Sequence, residues 1–186
     1  MVDIVILSGS PGSGKSTVAA LLAEQYELCV NMHTDGFWHA IVRGGIPPYL
    51  PESDTQNQTV VSAIAAAACS YALGGFTVIV DGVVGPWMLP HFLRSAERLP
   101  EIRIHYIVLR PEREAALQRA QGRTQPGALV DAAPILNLWD QLEDLGELRS
   151  HVLDTTHLTA EESASVVHGA ISDGRLVLRS GGATKP

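Results

Sequence analysis

Cysteine is nearly absent from this chain of 186 residues: there are two, Cys29 and Cys69, in no CxxC pair. That excludes a disulfide-stapled scaffold and a thiolate zinc site, and it suits a reducing cytoplasm. Seven histidines occur, but none shows an HxxxH or HExxH spacing, so no helical metal site is expected. There is no GxSxG elbow, which removes the common serine hydrolase signature. Positive charge is short as well. Thirteen basic residues face twenty acidic ones, a net charge of −7, which argues against wrapping nucleic acid or an anionic membrane. Residues 1–7 carry no basic n-region and too short an apolar run for a secretory leader. The 26 uncharged residues between Asp54 and Asp81 are long enough to span a bilayer. They contain Gln56, Asn57, Gln58 and a central Gly74-Gly75, however, and divide into an alanine-rich helix and a strand. Buried core is the better reading, and the protein is expected to be cytoplasmic, without membrane contact.

Apolar, β-rich runs alternate with helical patterns along the whole chain. The runs are Val2–Leu7, Leu28–Met32, Phe76–Val80, Ile102–Leu109 and a short His151–Leu153. None shows a clean period of two, which is the mark of strands covered on both faces, as in a parallel sheet. Helices are predicted over about 15–26, 59–73, 87–98, 111–122, 134–148 and 160–172. The last starts with a capping box, Thr159 to Glu162. Such alternation predicts an α/β fold. One domain is expected over 1–179, with 180–186 a disordered tail. Two loops are long enough to be functional: Gly44–Gln58, rich in proline, and a candidate lid at about 122–133.

The most specific motif is Gly9-Ser10-Pro11-Gly12-Ser13-Gly14-Lys15-Ser16, a full GxxxxGK[ST] match between a strand and a helix. Its backbone N–H groups and the following helix N-terminus suit a bound phosphate chain. Lys15 is then expected at the β- and γ-phosphates, Ser16 at Mg²⁺ and Thr17 near the α-phosphate. Two aspartates follow later strands. Thr77-Val-Ile-Val-Asp81 has the form of a Walker B strand, whose carboxylate orients the water shell of Mg²⁺; the alternative is a turn cap beside Gly82. Asp35, past the second strand, is a candidate general base for a substrate hydroxyl, or else the N-cap of a short helix starting at Phe37.

Eleven of the thirteen basic residues are arginines, and seven of the thirteen crowd between Arg94 and Arg123. Arg119 and Arg123 share a helix face that runs into the candidate lid, where they are placed to stabilise the transferring phosphoryl group. The alternative is pairing with Glu112 and Glu114. Arg110 reads as an adenine-stacking residue or as a structural partner. Phe37, Trp38 and Trp87 follow the two aspartates, and they either wall an acceptor pocket or pack in the core; Arg43 is the remaining acceptor candidate. Trp139 is expected in the core.

With these residues in hand, the chain resembles the small P-loop kinases related to nucleoside monophosphate kinases. It is most similar to the branch of shikimate kinase, gluconate kinase and chloramphenicol phosphotransferase. The resemblance rests on Gly9–Ser16, Asp35, Val80-Asp81-Gly82, Arg119/Arg123 and His151-Val-Leu-Asp-Thr155, and it covers about residues 2–172. It implies a three-layer fold with a five-stranded parallel sheet in the order 2-3-1-4-5. It also implies transfer of the ATP γ-phosphate, with Mg²⁺, to a hydroxyl of a small-molecule acceptor. The residues 151–155 would border the adenine. The DxD of the shikimate type is missing, since position 33 is histidine. A nucleotide or nucleic-acid 5′-end kinase, and a nucleotide-binding regulatory protein without catalysis, are the competing readings.

Overall fold

A computed structural model describes residues 1–124 and 128–178. In chain order it contains β1 (Val2–Ser8), α1 (Lys15–Ala23), β2 (Cys29–His33), α2 (Asp35–His39), α3 (Asp54–Leu73) and β3 (Thr77–Asp81). These are followed by α4 (Leu89–Ala96), β4 (Ile102–Leu109), α5 (Arg113–Gln121), α6 (Ala132–Asp140), β5 (Val152–Leu153) and α7 (Ala160–Ser172). The strands form one parallel sheet in the order β2-β3-β1-β4-β5. This is the order implied by the resemblance. The residues 179–186, including the expected tail, and 125–127 of the expected lid lie outside the described residues.

Alternate residues of each strand point to opposite faces, and both faces are covered. Ile4, Ile6, Val78, Val80, Ile104 and Tyr106 pack in a core with α3 and α4. Val5, Leu7, Ile79, Ile107 and Leu109 pack in a second core with α1 and α7. Two buried faces explain why the strands read as continuous apolar runs. The long uncharged segment resolves into α3 and β3, with Ala65, Ala68 and Ala72 of α3 buried against the sheet. Among the described residues no helix is long and apolar enough to cross a membrane. The capping box of α7 is formed: Thr159 Oγ1 accepts from the Glu162 amide at 3.1 Å, and Glu162 Oε2 accepts from the Thr159 amide at 2.8 Å.

Two helices differ from expectation. The helix predicted from residue 59 starts at Asp54, so the loop before it is shorter. Gln56 and Asn57 do not delay the helix, because their side chains bond to the loop instead of competing for their own backbone. The helix predicted over 134–148 stops at Asp140, and a 3₁₀ turn follows at Gly146–His151. Gly146 adopts φ 53°, and the Asp144 carboxylate accepts its amide at 3.0 Å, which closes a turn where the helix would have continued.

At the amino-terminal end of the sheet, β1–β4 pairing sets Asp3 opposite Arg103. Asp3 accepts from Arg103 Nε at 2.8 Å and Nη2 at 3.0 Å, and from the fully buried His105 Nε2 at 3.0 Å. Burial pushes the Asp3 carboxyl up, but bonds from His105 and Arg103 outweigh it and hold it below its ordinary value. A carboxyl lowered by folding adds stability above its unfolded value, and that stability fades as the pH falls through the folded value. Asp3→Asn is therefore expected to lose about 2 kcal/mol at neutral pH. Urea unfolding of both proteins at neutral and acid pH checks this, since the difference should shrink on acidification.

Candidate active site

Parallel pairing brings the carboxyl ends of all the strands to one edge. Leu7 lies opposite Asp81, and Asp81 opposite His33, so β1, β3 and β2 end in one row. The phosphate loop Gly9–Gly14 springs from β1 at this edge. Gly12 has φ +84°, and a Cβ there would run into the Ala116 carbonyl of α5, so only glycine fits. Ser10, Ser13 and Lys15 are buried, while Ser16 and Thr17 are exposed.

Lys15 is the first residue of α1. Burial lowers the affinity of its amine for a proton, the attraction of Asp81 opposes this, Arg123 lowers it further and Asp35 opposes. The net shift is downward. Three groups predicted from separate stretches of sequence, Asp81, Arg123 and Asp35, therefore lie close enough to act on Lys15.

Asp81 is buried, and its Oδ2 accepts from His33 Nδ1 at 2.8 Å. Its Oδ1 is buried without a partner. Asp35 is not the N-cap considered above: Thr34 takes that position, and Asp35 is the first residue inside α2. The Thr34 amide donates to the Asp81 carbonyl at 2.9 Å, which ties the start of α2 to the end of β3. Among the described residues the exposed Asp35 carboxylate has no hydrogen bond or ion pair. A second tie joins β1 to the segment after β3. Ser8 Oγ donates to the Val84 carbonyl at 2.8 Å and accepts from the Val84 amide at 3.0 Å, and Tyr106 Oη also donates to that carbonyl.

Beside the phosphate loop lies a cavity of about 280 Å³, lined by residues of that loop and of α1, by Arg119 of α5, and by Thr155, Leu158 and the start of α7 up to Ser163. The turn after β5 builds its wall: Asp154 Oδ1 accepts from the Thr156 amide at 2.9 Å and from its hydroxyl. Thr156 Oγ1 in turn accepts from the Glu112 amide at 2.9 Å. Among the described residues seven buried side-chain polar atoms lack a partner. Two of them, Ser13 Oγ and Thr155 Oγ1, belong to residues that line this cavity, and two more, Ser10 Oγ and Asp81 Oδ1, belong to the phosphate loop and to the end of β3 at the same sheet edge. Buried polar groups are ordinarily bonded, so their concentration here fits a phosphate chain and a hydrated cation. The donor set fits Mg²⁺ in the same way, a hydroxyl and a carboxylate being hard oxygen ligands.

The arginines divide. Arg119 lines the cavity and donates to the Thr156 carbonyl at 3.2 Å, whereas Arg123 acts on Lys15. Neither forms an ion pair with Glu112 or Glu114 among the described residues. Arg110 takes the structural place: it donates to the Leu142 and Glu143 carbonyls at 3.1 and 2.5 Å, with its guanidinium 5.8 Å from the Trp139 ring. Trp139 is part-buried rather than enclosed, and donates to the Pro111 carbonyl at 3.0 Å.

On the other side of Asp81, Phe37 and Trp38 are partly buried against the α3 core. Trp38 Nε1 donates to Asn57 Oδ1 at 2.8 Å. Gln56 clasps the preceding loop by accepting from the Ile46 amide at 2.8 Å and donating to its carbonyl at 2.7 Å, and Asn57 donates to the Pro48 carbonyl at 2.8 Å. Arg43 is exposed in that loop, and Trp87 lies half-exposed in the 3₁₀ turn Pro86–Met88. Sequence reasoning treated His33 only as a departure and missed Ser8 and Ser163. For His33 the signal was its place opposite Asp81, which register alone reveals.

The family model described as chloramphenicol phosphotransferase-like protein matches residues 2–172. The chain belongs to this family. Among solved structures, this member of the chloramphenicol phosphotransferase-like family is similar to an unliganded sugar kinase from Janibacter sp. HTCC2649. Identity there is 21%, coverage 95% of this chain and 96% of the other, and TM-score 0.66. It is also similar to the tunicamycin resistance protein of Deinococcus radiodurans, at 18% identity, 96% and 99% coverage and TM-score 0.63. Shikimate kinase from Acinetobacter baumannii, in complex with shikimate, matches at 20% identity, 95% and 96% coverage and TM-score 0.62. No curated protein matches the sequence. The chain is thus a P-loop phosphotransferase of the kinase group.

The burial of Lys15 gives a separable prediction. A lysine whose folded value is depressed carries a penalty that is relieved as the pH rises from the folded value toward the ordinary lysine value. Lys15→Met is expected to abolish nucleotide binding by calorimetry without lowering the melting temperature. Relative to this variant, the native protein should gain stability with rising pH across that interval.

Proposed function

We propose that this protein transfers the γ-phosphoryl group of ATP to a hydroxyl of a small molecule. The observation that carries this reading is the exposed carboxylate of Asp35, which has no hydrogen bond or ion pair among the described residues and lies close enough to the buried Lys15 to act on its amine. A carboxylate so placed accepts the proton of the attacking hydroxyl. The acceptor oxygen bonds to the γ-phosphorus, the bond from that phosphorus to the β–γ bridging oxygen breaks, and ADP leaves with the bonding electrons.

Each of the other groups has a task in this scheme. The amides of Gly9–Gly14 and Lys15 hold the β- and γ-phosphates, and Thr17 lies toward the α-phosphate. The 280 Å³ cavity takes the nucleoside, with Arg119 and Thr155 in its wall. Arg123, acting on the same space as Lys15, offsets negative charge on the transferring group. Ser16 and Asp81 would hold Mg²⁺, with His33 fixing the Asp81 carboxylate in its orientation. When bound, the ion draws charge from the phosphate oxygens. Phe37 and Trp38, packed against the core, fix the direction of α2, while Arg43 and Trp87 face the acceptor side.

The test is ADP release by purified protein with Mg²⁺ and ATP across sugars, polyols, nucleosides and antibiotics. Asp35→Asn is expected to lower acceptor-dependent turnover by about 10²-fold or more while ATP binding persists. Unchanged turnover in that variant would sink the assignment of the base.

A further inference from the structure

Between His33 and Leu93, the stretch that the phosphotransfer reading assigns to the acceptor side, the chain has one basic residue other than histidine, Arg43, and four carboxylates, Asp35, Glu52, Asp54 and Asp81. An acceptor bearing a phosphate or carboxylate is held by arginine forks or lysines. Within the stretch Arg43 is the one arginine or lysine, and it is exposed in the loop; on α4, His91 is taken up by Gln58 at 2.6 Å and Arg94, just beyond, by the Pro90 carbonyl at 3.2 Å. The electrostatics of this side therefore favour an acceptor without an anionic group.

A specific recess sharpens the class. A cavity of about 30 Å³ opens at the start of α3, lined by Asp54, Asn57, Gln58, Val61, Trp87 and Met88. One ordered water needs roughly 10–15 Å³ on this measure, so the recess takes a small polar head group. Its aromatic wall lies over the backbone of Gly85. The Trp87 indole lies so close over Gly85 that a Cβ there would collide with the ring, and Trp87 nevertheless stays 48% exposed. The segment carrying it is anchored in turn by the Ser8 and Tyr106 bonds to Val84. The carboxylate wall is available: Asp54 is exposed, has only a long 3.3 Å bond from Gln58 Nε2, and forms no ion pair among the described residues. A half-exposed indole lining the same recess as a carboxylate without an ion pair among the described residues is the combination that attracts an ammonium group, through the ring face and through charge-assisted hydrogen bonds. Asn57 joins the recess to the candidate base, since it accepts from Trp38 on the helix that begins with Asp35.

We infer that the acceptor is a hydroxyl compound bearing a protonated amine, of the amino-sugar, aminocyclitol or amino-alcohol class, with its ammonium seated between Asp54 and Trp87. The inference rests on the phosphotransfer reading for its direction, because the amine orients the molecule and the hydroxyl reacts. The ammonium itself is unchanged by the reaction.

The experiment uses the full chain and hydroxyl compounds in matched triplets: a primary amine, its N-acetyl derivative and a carboxylate analogue of the same skeleton. ADP release reports turnover, and calorimetry with Asp35→Asn reports binding without turnover. The amine is expected to bind about tenfold or more tightly than its N-acetyl partner. Asp54→Asn, an isosteric change at an exposed position, should raise KM for the amine about tenfold and leave KM for the N-acetyl compound and for ATP where they were. Trp87→Phe should retain the preference for amines that Trp87→Ala loses. Equal or tighter binding of the N-acetyl or carboxylate compounds overturns the inference, as does an amine preference that survives Asp54→Asn. Turnover of carboxylates alone would remove the amine site and leave the phosphotransfer reading standing. Amines that bind through Asp54 but never turn over would do the reverse, and no binding by any compound would overturn both.

Discussion

All five strands run the same way, and the register of β1 between β3 and β4 decides where each of them ends. Because Leu7 faces Asp81 across one ladder and Asp81 faces His33 across the next, three strand ends lie in a single row. A slip of one residue in either ladder would send the Asp81 side chain to the other face of the sheet. The two apolar cores prevent that slip, since each strand offers one set of side chains to α3 and α4 and the other to α1 and α7. The packing that makes the sheet stable is also what aims the carboxylate.

Upon that row the site is assembled by short ties. Ser8 and Tyr106 hold Val84, the Thr34 amide holds the Asp81 carbonyl, and Thr156 joins the turn after β5 to the start of α5. The bonds to Val84 are interior, whereas the one at Thr156 is exposed. Among the described residues, four of the seven unpartnered buried polar groups, on Ser10, Ser13, Asp81 and Thr155, and the buried Lys15 amine lie toward the carboxyl edge of the sheet, where a nucleotide would lie. The free energy withheld from the hydroxyls and the amine in the folded chain is available to a polyanion that completes their bonding, and that withheld from the Asp81 carboxylate to a cation beside it.

The sheet was legible in the chain because strands covered on both faces announce themselves as unbroken apolar runs, and because the phosphate loop marks the central strand. Asp35 and Asp81 were legible as carboxylates following such runs. Three things were not. The start of α3 was hidden because Gln56 and Asn57 look like loop residues until their side chains are seen bonding to Ile46 and Pro48. The division of labour among arginines was hidden because Arg110, Arg119 and Arg123 differ in what faces them, which depends on the turn after β5 and on the end of α6. His33 was unreadable because its partner is 48 residues away and adjacent only through the ladder.

The clasp at Gln56 has a consequence for how such a protein can change. Gln56 and Asn57 hold the loop by its backbone, at Ile46 and Pro48, and take no account of which side chains the loop carries. Neighbouring loop residues such as Val42, Arg43 and Tyr49 can be exchanged by mutation without loosening the attachment. The phosphate machinery sits on the sheet and is insulated from those exchanges. Selection therefore has a segment on which to act at little risk to the fold, and descendants of one ancestor can diverge along this loop while the sheet edge that carries the phosphate loop stays as it is.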